Sequence, residues 1–308
     1  MLKFAKLIIK FSTFSIVFYI VWVIILGTLF TTPLTKNLKY QLGGPGYMFT
    51  RMKELKQTKD IDILFLGSSH AYRGFDTNFF QNAGFKVFNL GSSAQTPIQT
   101  EFLLDKFLDS LNPKIVIFEV NPIIFSLDGI ESSLDIISNG NNDFKSIKFA
   151  LRQNHFAVYN TLIYSFYREI FFDEKSKYNE NRVKYNDTYI AGGFVSKKLL
   201  FYKYEDLDER ELEFNKNQIK SFENIINILK RRKIKLFLVQ TPVTKSLYKS
   251  YSNKRNFDNE IKKYGDYYNF NERIHFDDSL HFYDADHLNQ NGVRMFNNIM
   301  LETINQKE

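Results

Sequence analysis

One stretch near the start of this chain limits what it can fold into more than any other: from Phe11 to Thr35 there is no charged residue, and Ile16 to Leu26 is apolar throughout. A helix of about 20 residues at about 1.5 Å per residue crosses the roughly 30 Å hydrocarbon core of a bilayer. The segment therefore reads as a membrane-spanning helix. A cleaved signal peptide has a shorter apolar region and a small-x-small site, whereas this stretch closes on Gly27, Thr28, Leu29, Phe30, Thr31, Thr32 and Pro33. Retention as a single-pass anchor is expected. Lys3, Lys6 and Lys10 precede the span and Lys36 and Lys39 follow it, which points to a cytoplasmic N-terminus with the rest of the chain on the outer side of the cell membrane.

Beyond a linker over 36–59 that includes Gly43, Gly44, Pro45 and Gly46, short apolar runs alternate with amphipathic helices, the pattern of an α/β fold with a parallel sheet. Strands are expected at Ile61–Leu66, Lys86–Leu90, Ile115–Val120 and Ile234–Val239. Leu103, Leu104, Phe107, Leu108 and Leu111 mark one helix face, and Phe222, Ile225, Ile226 and Leu229 another. The interval from about 124 to 205 breaks this rhythm with aromatic-rich helical sequence, and it reads as an insertion within a domain spanning 60–308. With 308 residues and 44% hydrophobic content the chain can bury one α/β core plus that insertion.

The absence of cysteine removes disulfide scaffolds, thiol nucleophiles and thiolate metal sites. A net charge of +7 suits anionic lipid or wall polymer. Nucleic acid fits less well, because the basic residues are scattered among acids and the one compact run, Lys230–Lys233, closes an amphipathic helix where cations complement the dipole.

In an open parallel sheet, ligands bind at the carboxyl ends of the strands. Here the first strand runs into Gly67, Ser68, Ser69 and His70, the second into Gly91, Ser92 and Ser93, and the third into Asn121 and Pro122; Asp284, Ala285, Asp286 and His287 stand near the C-terminus. This ordered set resembles the SGNH (GDSL-like) hydrolase superfamily over about 60–123 and 233–300. The resemblance implies a three-layer α/β/α sandwich of flavodoxin-like type, no cofactor, and a serine hydrolase or acyltransferase with Ser69, Asp284 and His287 as its triad. Ser68 stands where an Asp is usual and Glu119 where a Gly is usual. The Gly-Ser-Ser form is similar to the DltD-type branch, whose members are single-span proteins working beside a membrane-bound O-acyltransferase. Ser69 is at the motif position of the nucleophile, and Ser68 is the alternative.

The chemistry of the residues agrees. A serine at a helix start sits at the positive end of the dipole, and its own N–H can help hold an oxyanion. His287 would take the serine proton, and Asp284, three residues away, would orient the ring. Gly91 and Asn121 would add a backbone and a side-chain donor to the oxyanion hole. His70 reads as a lining or helix-start residue, and Asp286 as too close in sequence to His287 to reach its ring. The density of His275, Asp277, Asp278, His281, Asp284, Asp286 and His287 raises a metal hydrolase as an alternative. A non-catalytic tethered scaffold is a further one. On the enzyme reading, an anchored, outward-facing domain fits an O-acyl ester, acetyl foremost, on a surface polysaccharide or wall polymer.

Overall fold

Short runs with no polar side chain settle only where both faces of a sheet are covered, as in parallel sheets flanked by helices. The strands are β1 Ile63–Leu66, β2 Val87–Asn89, β3 Ile115–Glu119, β4 Val183–Lys184, β5 Asp187–Ile190, β6 Phe194–Lys197, β7 Lys235–Gln240 and β8 Asp266–Asn269. Five of them form a wholly parallel sheet in the order β2-β1-β3-β7-β8, with Leu64 opposite Phe88 and Val116, and Val116 opposite Leu236. Counted along this sheet the order is 2-1-3-4-5, the flavodoxin-like arrangement, whose switch point lies between β1 and β3. The computed structural model describes residues 1–30 and 35–307.

Helices cover both faces. On one side, Ile63, Phe65, Ile117, Phe237 and Val239 share a buried cluster with Val293, Phe296, Met300 and Ile304 of the helix Gln290–Asn305. On the other, Phe118 meets Phe222 of the helix Lys216–Arg231, ring centroids 5.6 Å apart, and that helix packs on Pro97–Leu111. The fold is thus α/β with three layers. The four expected strands are present with their ends moved by one or two residues; β8 and the antiparallel strands β4, β5 and β6 were not anticipated from sequence.

The chain divides into two units: Met1–Leu42 with Ser133–Asn179, and Gly43–Ser132 with the residues from Glu180 onward. The second holds the parallel sheet. It also holds the antiparallel sheet β4-β5-β6, tied to it by Gly192 O accepting from Asn89 N at 2.7 Å and by the Arg73–Asp187 ion pair. The interval 124–205, read from sequence as one insertion, is therefore shared between the units. The physical reason lies in the helix Phe156–Phe172, whose Tyr164 is buried with Val23 and Leu38.

The first unit contains the helix Leu2–Leu29, about 42 Å long at about 1.5 Å per residue. It is long and apolar enough to cross a membrane, with a mean hydropathy of 2.2 over its most apolar window. Thr31–Leu34, the end of the expected span, lie outside the described residues.

Candidate active site

Gly67 links β1 to the short helix Ser69–Gly74, and its φ of +136° is one that only glycine adopts readily. A side chain there would also come within 2.6 Å of Glu119. The turn delivers Ser68 as N-cap and Ser69 as the first helical residue, so the Ser69 N–H has no partner inside the helix.

The C-terminal segment brings the other groups back to this edge. An antiparallel bridge between Phe282 and Leu288 closes a turn in which Asp284 Oδ1 accepts from the N–H groups of Asp286 (2.8 Å) and His287 (2.7 Å). His287 Nδ1 lies 3.1 Å from both Asp284 oxygens. A carboxylate only accepts, so Nδ1 carries the proton and Nε2 of the neutral ring is an acceptor. That nitrogen is 2.9 Å from Ser69 Oγ, whose hydroxyl can donate to it. The three residues put forward from sequence thus stand in one hydrogen-bonded row. Burial disfavours the Asp284 charge, yet its bonds with His287 and the two N–H groups prevail and keep its carboxyl below the usual range.

A second row runs beside the first. His70 Nε2 is 2.9 Å from Asp286 Oδ1 and its Nδ1 is 3.1 Å from Ser68 Oγ, while the Ser68 hydroxyl donates to Glu119 Oε2 at 2.9 Å. With that hydroxyl committed and Asp286 acting as acceptor, both ring nitrogens of His70 must be donors. The electrostatics agree: burial alone would depress the His70 pKa, but Asp286, with Glu119 and Asp284 behind it, raises it to about 9. The His70 charge in turn holds Asp286 below the usual carboxylate range against the opposing effect of burial. The His287 ring is sandwiched between His70 (centroids 5.0 Å apart) and Tyr283 (5.5 Å, planes 3° apart). Sequence reasoning treated His70 as a lining residue and missed both its partner and the stacking, because Asp286 is 216 positions away.

Glu119 is the hub beneath these rows. Fully buried, it accepts from Ser68 N at 2.9 Å, Ser68 Oγ at 2.9 Å and Asn121 N at 2.6 Å. Asn121 Oδ1 accepts from Ile123 N, which fixes the amide so that Nδ2 lies 3.2 Å from His70 Nε2. Two donors facing one another make no bond, so the Asn121 Nδ2–H groups remain for another acceptor. The N–H of Gly91, expected from sequence to face an oxyanion, instead donates to Asn89 Oδ1 at 3.1 Å. Asn89 had drawn no attention in the sequence because it lies inside the expected strand Lys86–Leu90.

Ser69 and His287 line a cavity of about 420 Å³, whose walls include Tyr72, Arg73, Lys197 and Tyr283. Among the described residues, His70, Asp286 and His287 form a group whose potential metal-ligand atoms lie within 4.8 Å of one another. Both ring nitrogens of each histidine are already hydrogen-bonded. The other C-terminal histidines are occupied elsewhere, His275 beside Lys245 Nζ at 3.1 Å and His281 Nδ1 accepting from Asp277 N at 3.0 Å.

No family model matches the chain, and neither does any curated protein. Among solved structures it is similar to a "putative acylhydrolase" from Bacteroides fragilis, at 10% identity over 86% of this chain and 98% of that one, with a TM-score of 0.42. It is also similar to a GDSL-like lipase from Bacteroides thetaiotaomicron, at 10% identity over 85% of this chain and 99% of that one, with a TM-score of 0.43.

Proposed function

We propose that this chain is a membrane-anchored serine esterase or O-acyltransferase of the SGNH type, acting through an acyl-enzyme on acyl groups, acetyl foremost, of a surface polysaccharide or wall polymer. The observation that carries the reading is the row Ser69 Oγ, His287 Nε2, His287 Nδ1, Asp284, with separations of 2.9 and 3.1 Å. Ser69 Oγ attacks the ester carbonyl while His287 Nε2 takes its proton, and the same proton passes to the departing alkoxide. Water or a sugar hydroxyl then gives a proton to Nε2 and attacks the acyl-serine, releasing Ser69. The oxyanion formed at each stage is held by the Ser69 N–H and the Asn121 amide. The Tyr72 and Tyr283 rings with Arg73 and Lys197 give the cavity flat apolar faces beside cations, which suits a polyhydroxylated substrate. The helix Leu2–Leu29 is the anchor, its N-terminus cytoplasmic, and the DltD-type resemblance makes a membrane-bound O-acyltransferase the expected partner.

A fluorophosphonate probe tests the chemistry. It should label the wild type and Ser68→Ala but not Ser69→Ala; labelling that survives Ser69→Ala and fails in Ser68→Ala would move the nucleophile by one residue. The second reading, a metal-dependent hydrolase, starts from the proximity of His70, Asp286 and His287 and would require the histidine ring nitrogens to give up the hydrogen bonds they make here. Loss of esterase activity on chelation, with probe labelling absent throughout, would favour it. Mass analysis of surface glycans from cells with and without Ser69 separates removal of acyl groups from their addition.

A further inference from the structure

The helix Phe144–Gln153 is apolar on two opposite sides. Phe149 and Ala150 are buried and the helix packs on Phe156–Phe172, whereas Phe144, Ile147 and Leu151 recur at i, i+3 and i+7 and face outward. Phe144 is 67% exposed and Leu151 62%, and Phe156, opening the next helix, is 69% exposed. Isolated exposed apolar residues are ordinary, but a ridge of large ones rimmed by charge marks an interaction surface. The rim here is cationic: Lys145, Lys148 and Arg152 flank the ridge, with Lys148 Nζ 4.9 Å from the centre of the Phe144 ring.

What covers this ridge is indicated by what the same unit packs against. Tyr19 of the N-terminal helix hydrogen-bonds Asn160, and Val23 and Gly27 meet Tyr164; a side chain at position 27 would come within 2.6 Å of that ring. Contacts at 19 with 160 and at 27 with 164 ascend in the same sense. The N-terminal end of Phe156–Phe172, and with it Phe156 and Leu151, therefore lies toward the middle of the helix Leu2–Leu29. Tyr19 is 10 residues before the end of that helix, about 15 Å or half of a bilayer core. If the N-terminal helix spans a membrane, the ridge cannot stand clear of the leaflet that holds its C-terminal half.

We infer that the helices Phe144–Gln153 and Phe156–Phe172 form a second membrane contact, a hairpin that dips into the leaflet alongside the N-terminal helix, sinks Phe144, Ile147, Leu151 and Phe156 among acyl chains and directs Lys145, Lys148 and Arg152 toward anionic lipid headgroups. Long cationic side chains beside apolar residues lay their stems on the acyl chains and extend their charged ends to the headgroups. This inference rests on the anchor reading of the N-terminal helix, and it commits to lipid as the occupant. It alters what the anchor does: the protein is held to the bilayer at two places instead of one.

The chain has no cysteine, so single-cysteine variants report one position each. Full-length protein carrying Val17→Cys, Leu151→Cys, Phe156→Cys or Tyr185→Cys is labelled with an environment-sensitive fluorophore. Each is placed in vesicles of phosphatidylcholine and phosphatidylglycerol with and without brominated phosphatidylcholine. Quenching at positions 151 and 156 within about twofold of that at 17 is expected, and none at Tyr185, which is 98% exposed. Exchanging Lys145, Lys148 and Arg152 for Gln should weaken quenching at 151 and leave 17 unchanged. Quenching at 17 alone, with 151 and 156 open to a water-soluble quencher, overturns the inference and keeps the anchor. Protection from both quenchers at 151 and 156 overturns it in favour of a protein partner. No quenching at any position removes the anchor and the inference together.

Discussion

Asp284→Asn separates geometry from charge in the proposed triad. Asp284 Oδ1 accepts two backbone N–H groups, at 2.8 and 2.7 Å, so an asparagine oxygen takes that position and the amide nitrogen takes the place of Oδ2. Both places are 3.1 Å from His287 Nδ1, so the Nδ1 proton keeps an oxygen within reach and the ring need not change tautomer. What is lost is the negative charge beside the imidazolium formed in the transition state. At 3.1 Å a unit pair is worth about 5 kcal/mol at an effective dielectric of about 20 and about 1.3 kcal/mol in bulk water. The Asp284 side chain is 46% exposed, which places the loss near about 3 kcal/mol, or roughly a hundredfold in rate. The assay is the pseudo-first-order rate of fluorophosphonate labelling from pH 6 to 9. A loss of about 10⁴-fold or more would show that the tautomer does flip, as it does in the serine-protease triad when its Asp is replaced by Asn. Loss below about threefold would show that Asp284 does not act on His287 at all.

Ser69→Ala and His287→Ala should each abolish probe labelling measured by intact mass, and the double variant should show no further loss, because the groups act as a unit. Glu119→Gln keeps the shape but leaves one of three buried donors without an acceptor. It should cost about 2 to 3 kcal/mol and lower the melting temperature in detergent by about 3 to 5 °C; a shift under about 1 °C would remove Glu119 as the hub. The His70–Asp286 pair sets a pH window. The raised His70 pKa adds stability that is complete below about 6.5 and is lost as pH rises through about 9, while the lowered Asp286 pKa adds stability present above about 4 and lost in acid. Asp286→Asn should therefore destabilise most between about pH 5 and 6.5 and converge with wild type above pH 9, as read by denaturant midpoints; a difference that grows toward alkaline pH would contradict the pairing.

Much of the architecture was legible because both faces of a parallel sheet are covered, so β1, β3 and β7 write themselves as uninterrupted apolar runs followed by small or polar residues. β8 escaped because Asp266, Tyr267, Tyr268 and Asn269 form no such run; its polar atoms are satisfied from afar, Asn269 by Asp258 and Tyr267 by Gln240. The row Ser69, His287, Asp284 was readable from order and position. The His70–Asp286 pair was not, since pairing across 216 positions leaves no local trace. The Gly91 N–H shows the same limit: position in a turn is readable, but its acceptor, two residues back on the Asn89 side chain, depends on a rotamer.

The proposed acid and base are cut from one turn, closed by the Phe282–Leu288 bridge and by Asn289 Nδ2 donating to Leu280 O at 3.0 Å. Opening that turn would carry off Asp284 and His287 together and leave Ser69 with no group to deprotonate it, while the sheet and its helices stayed folded. Inactivation on heating would then follow the opening equilibrium of this turn instead of global melting. The temperature at which the proposed activity is lost would be a local property, adjustable at the turn without touching the core.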